Sequence, residues 1–109
     1  MDNDYTIIKS SYPSMESAKG AARNLIGQRM AACAKVIPCE SVYVWNGTIA
    51  EDTETVLLII THRDLFCVVE REIKESHPYD VPEIIQIPII NGTEDYLNWI
   101  DENTKSKRR

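Results

Sequence analysis

The chain has 109 residues, of which 43% are hydrophobic and 27% charged, with a formal net charge of −5. That length suits one domain, able to bury roughly two-thirds of its unfolded surface without a disulfide or metal staple. The acidic balance argues against a phosphate-backbone partner, and the longest apolar run, Val56 to Ile60, is far short of the ~20 residues a membrane span needs.

The start, MDNDYTIIKS, is acidic and carries no long apolar stretch, so it does not read as a secretory signal. The expected compartment is therefore the cytoplasm, where thiols stay reduced. Tyr5 to Ser10 is β-branched and short, a first strand. In the segment that follows, Ala18, Ala21, Ala22, Leu25 and Ile26 recur at helical spacing. Ser14 is placed to cap that helix, and Glu16 suits its first turn. Cys33 to Trp45 and Thr48 to Thr61 are two long runs of strand formers. Asn46-Gly47 between them predicts a hairpin, since both residues accept the positive φ of a type I′ turn.

A second helix is predicted over Arg63 to Ser76, with Thr61 as N-cap and Leu65, Val68, Val69 and Ile73 as its stripe. Pro78 pushes His77 towards extended geometry and stops that helix. Glu83 to Ile90 reads as a last strand, and Pro88 places it at a sheet edge or a bulge. Thr93 caps a short final helix, with Tyr96, Trp99 and Ile100 expected on its buried face. The basic end, residues 104–109, is expected to fray rather than to bind nucleic acid.

The order is β-α-β-β-α-β plus a C-terminal helix. It predicts one α+β domain over residues 1–109 with a ferredoxin-like split βαβ pattern and a long β-hairpin. Two helices would cover one face of an antiparallel sheet, so the strands should alternate apolar and polar. They do not: Val56 to Ile60 is apolar throughout, and the isoleucines from Ile84 to Ile90 serve both faces. A second apolar face and a long apolar hairpin predict a closed homo-oligomer. The three cysteines, Cys33, Cys39 and Cys67, form no CxxC pair and read as buried thiols, not as a zinc site or disulfide framework. The sequons at Asn46 and Asn91 read as turn chemistry.

Four segments together carry a resemblance: AACAKVIP (31–38), VYVWNG (42–47), HPYDVPE (77–83) and DYLNWI (95–100). In order and spacing they resemble the CutA, or divalent-cation tolerance, family. The resemblance implies a PII-like homotrimer with a ferredoxin-like fold. It implies no enzymatic activity, a role in tolerance of copper and other divalent metal ions, and a divalent cation as the one candidate cofactor. It also implies a metal site built from a cysteine, a histidine and a glutamate. Carried over by position, those residues are Ser10, Ser76 and Glu83, so only the glutamate is kept, and a serine hydroxyl is a poor Cu(II) ligand. His77 is the nearest imidazole. The family often has a glycine where Cys39 stands and lysines where Thr48 and Ile60 stand, which weakens the case for an anionic metabolite.

The stretch SHPYDVPEI (76–84) concentrates the polar chemistry. His77 is able to ligate or shuttle a proton near neutral pH, Tyr79 brings a phenol, and Asp80 and Glu83 bring carboxylates held by two prolines. The candidate ligand pocket is Cys33, Tyr43, Trp45, His77, Tyr79, Glu83 and Trp99 at a subunit boundary, with Glu83 and His77 as the metal candidates. The plainer alternative is preferred: Pro78 and Pro82 shape a loop, His77 and Glu83 satisfy backbone groups, Trp45 and Trp99 pack at an interface, and Cys33 is a core thiol. Three functional classes remain open, in descending order: a non-enzymatic trimer binding a cation or small ligand, a PII-like scaffold docking on an unidentified protein partner, and a small hydrolase using Glu83. The apolar central strand argues against an RNA-binding sheet.

Overall fold

A computed structural model describes residues 4–106. The elements are β1 (Tyr5–Tyr12), α1 (Met15–Gly27), β2 (Cys33–Trp45), β3 (Thr48–His62), a 3-10 turn (Arg63–Leu65), α2 (Phe66–Ser76), β4 (Ile85–Pro88) and α3 (Glu94–Glu102). The four strands form one antiparallel sheet in the order β2-β3-β1-β4, the ferredoxin-like arrangement.

Local chemistry explains most boundaries. The Ser14 side chain accepts from Ser17 N–H, while the Ser17 hydroxyl reaches back to Ser14, closing a capping box that starts α1. Asn46 and Gly47 adopt φ of 51° and 80° and turn β2 into β3. Pro88 has no N–H to donate, and β4 ends there at the sheet edge.

The face of the sheet under α1 and α2 holds the main core: Ile8, Leu57 and Ile59 pack against Leu25, Val69 and Ile73. On the other face α3 covers only one end, where Ile100 packs on Ala32 and Ile60. The remainder of that face leaves Ile37, Ile85 and Ile87 exposed. The second apolar face, legible in VLLII, is thus part covered by α3 and part open.

Several expectations are corrected. Thr61 does not cap α2. It lies within β3, which runs to His62, and its hydroxyl donates to Met30 C=O at 2.7 Å. The chain then enters α2 through the 3-10 turn. The last strand is four residues, not eight, because Glu83 turns out of the ladder towards β1 and Ile84 packs into the main core. Ile26 is exposed, so the α1 stripe is narrower than its spacing suggests. The cysteines are not buried thiols: Cys33 and Cys39 are half-buried, and Cys67 is exposed on α2, on the side away from Val69 and Ile73. Tyr96 and Trp99 stack on each other at the surface, ring centroids 5.6 Å apart, and only Ile100 is fully buried. The tail does not fray from residue 104: Thr104 is buried, Lys105 N–H donates to Arg29 C=O at 2.8 Å, and Ser106 Oγ donates to Asp64. Residues 107–109 lie outside the described part.

Candidate functional site

The polar loop sits where β1 ends, α2 stops and the hairpin begins to extend past the body. His77 follows α2 with φ −72° and ψ 137°, the extended geometry Pro78 requires. Both ring nitrogens are engaged inside the fold. Nε2 lies 2.8 Å from Ser11 C=O, and Tyr79 N–H donates to Nδ1 at 3.1 Å. A carbonyl only accepts, so the proton is on Nε2 and the imidazole is neutral in this geometry. Burial lowers its pKa, outweighing the hydrogen bond to Ser11 and the charge of Glu54. The ring also packs between Tyr12 and Tyr79, at centroid distances of 4.3 and 4.9 Å.

His77 thereby aims Tyr79, whose hydroxyl donates to Glu54 Oε2 at 3.0 Å. Burial, then that hydrogen bond and the charge of Glu54, push the Tyr79 phenol up to about 12. Tyr43 donates similarly to Asp52 across the hairpin, which raises its pKa. Glu83 accepts from Lys9 Nζ at 2.5 Å and Ser11 Oγ at 2.9 Å. Burial alone would raise the Glu83 pKa, but these two bonds and the Lys9 charge together hold it below the usual carboxylate range.

These groups wall an open cavity of about 760 Å³, within the size range of small-molecule sites. Of the sequence candidates, Tyr43, Trp45, Tyr79 and Glu83 line it. His77 stands behind Tyr79. Cys33 does not reach it, packing instead under α3 with Ile60 and Ile100, and Trp99 is on the outer side of α3 beside Tyr96. Ser11, Asp52 and Glu54 line it too, and sequence reasoning missed them. The signal was available: counting back by twos from Val56 puts Glu54 and Asp52 on the face shared with Ser11 and Tyr43.

The metal donors implied by resemblance do not come together. Ser10 is fully buried on the main-core face, and its neighbour Ser11 is the one that meets Glu83, since adjacent strand residues point to opposite faces. Ser76 Oγ donates to Glu72 C=O. Among the described residues no group of three His, Cys, Asp or Glu side chains is placed to hold a metal ion.

Residues 6–103 match the family model described as CutA1 divalent ion tolerance protein. The divalent-cation tolerance protein CutA of Thermus thermophilus is 39% identical over 99 residues, covering 90% of this chain and 96% of that one. A CutA1 crystal structure from Pyrococcus horikoshii is 40% identical with a TM-score of 0.89, covering 93% of this chain and 99% of that chain. A structure from Archaeoglobus fulgidus, described as the periplasmic divalent cation tolerance protein CutA, is 35% identical with a TM-score of 0.89, covering 91% and 97%. That description overturns the expected cytoplasmic location, as do plant relatives named chloroplastic. An acidic start and unpaired cysteines do not distinguish one aqueous compartment from another. No helix among the described residues is long and apolar enough to cross a membrane.

Proposed function

Because the chain belongs to the CutA1 divalent ion tolerance family, we propose that it works as a non-enzymatic homotrimer that holds a cation or small ligand in the cleft at the base of the hairpin, at the boundary between subunits. One observation carries this reading. The open apolar part of the sheet, Ile37, Ile85 and Ile87, runs into the cavity walled by Tyr43, Trp45, Tyr79 and Glu83. Apolar surface of that kind is covered by another copy, and the concave, polar end beside it then lies at the seam.

The copper site of the resemblance does not fit this chain. Ser10 is buried on the opposite face of β1 from Ser11, which meets Glu83; the Ser76 hydroxyl donates to Glu72 C=O, and both His77 nitrogens are hydrogen-bonded. What the cleft offers a cation is carboxylate oxygen. A Cu(II) titration followed by paramagnetic broadening of amide signals tests the proposal. Broadening centred on Tyr43, Asp52, Tyr79 and Glu83 is the expected outcome. Broadening confined to surface carboxylates of α2, such as Glu70 and Glu75, overturns it.

A further inference from the structure

The cavity's polar lining has one chemical character. Three of the hydroxyls facing it give their protons to carboxylates: Ser11 to Glu83 at 2.9 Å, Tyr79 to Glu54 at 3.0 Å, and Tyr43 to Asp52. What those side chains leave for a ligand is lone pairs. Glu40 and Asp80 add two more carboxylates, and among the described residues no lysine, arginine or histidine lines the cleft. Lys9, which borders the cleft through Glu83, is paired with that carboxylate at 2.5 Å. The rest of the wall is π-surface from Trp45, Tyr43 and Tyr79, with Ser41, Val42 and Val81.

A ligand for such a wall must bring N–H donors and positive charge, and apolar length between them. The aromatic faces favour ammonium groups and the alkyl carbons beside them. On this chain's side of the seam the cleft measures about 760 Å³, far more than one ion fills, and its carboxylates are spread around it instead of converging on a point. Among the described residues of this chain, an anion finds five carboxylates in the lining and no cationic side chain.

We infer that the cleft takes an extended organic polycation, in chemical class a linear aliphatic di- or triamine, with its ammonium groups on the carboxylates and its methylenes along Trp45, Tyr43 and Tyr79. This rests on the proposal that the cleft is a binding site, and it names the ligand class. Polyamine binding in this position is also a route to cation tolerance, since an organic polycation and a divalent ion compete for the same carboxylates.

The test uses the full chain with Trp99→Phe, which leaves Trp45 as the only tryptophan of the two. Spermidine is titrated while Trp45 fluorescence is followed, with n-butylamine and Mg(II) as comparators. Saturable binding of spermidine is expected, at least tenfold tighter than that of butylamine or Mg(II). Asp52→Asn and Glu40→Gln, both on the hairpin and neither in the core, should each weaken it about tenfold, the effect of one lost charged hydrogen bond. Added salt should weaken it further. Equal affinity for Mg(II), or binding indifferent to both substitutions, overturns the inference. If spermidine fails while Cu(II) still perturbs Trp45, the cleft remains a cation site and only the ligand class falls. If no cation perturbs Trp45, the cleft itself is not a site, and both readings fall.

Discussion

His77 is the residue on which the geometry of the loop depends, and replacing it by alanine makes that quantitative. The ring accepts from Tyr79 N–H at 3.1 Å and donates to Ser11 C=O at 2.8 Å. Two such bonds contribute about 1 kcal/mol each. Its contacts with Tyr12 and Tyr79, at 4.3 and 4.9 Å, add about 0.5–1 kcal/mol apiece for a half-buried ring. His77→Ala should therefore cost about 3–4 kcal/mol, read as a lower urea midpoint at unchanged slope and fixed protein concentration. His77→Asn should recover about 1 kcal/mol, because an asparagine oxygen also accepts from the N–H two residues on. A loss below about 0.5 kcal/mol for His77→Ala, or no recovery with asparagine, would refute the positioning role and reopen His77 as a ligand.

Three further outcomes follow from neighbouring contacts. The Glu83 pKa is depressed in the fold, so its share of stability is present above the ordinary glutamate value of 4.5 and is lost as pH falls through the lower folded value. Glu83→Gln should flatten the acid limb of a plot of thermal midpoint against pH; an unchanged limb counts against the Lys9 and Ser11 pairing. Asp101 accepts from Tyr5 OH at 3.0 Å and pairs with buried His62, fixing α3 to the sheet. Asp101→Ala should cost about 2 kcal/mol and speed amide exchange in α3 before the rest of the fold. Gly47 has φ +80°, and a Cβ added there would meet nothing within 4 Å, so Gly47→Ala should cost about 1 kcal/mol from backbone strain alone, measured by denaturation.

The fold was legible wherever local chemistry dominates. The Ser14 cap, the Asn46-Gly47 turn and both limits of β2 follow from residue type and period. Expectations failed where tertiary contacts override that pattern. Thr61 has the chemistry of a cap, but buried pairing of His62 with Tyr5 extends the strand past it. Tyr96 and Trp99 have the spacing of a buried stripe, but α3 covers only one end of the sheet and leaves their side exposed. At the site, the loop residues stood out by composition, whereas Ser11, Asp52 and Glu54 belong to strands and join the cavity only through register. Ser10 and Ser11 show the same limit: one position of shift separates the core from the cleft, and matching by motif does not reveal which side faces Glu83.

If the open apolar face is an interface with the cleft at its seam, the chain should not exist alone in solution. Native mass spectrometry of the full chain, at micromolar and lower concentrations, tests this most directly. A single species of three 12.4 kDa chains that persists on dilution is the expected result. A monomer with Ile37, Ile85 and Ile87 left in water would contradict it.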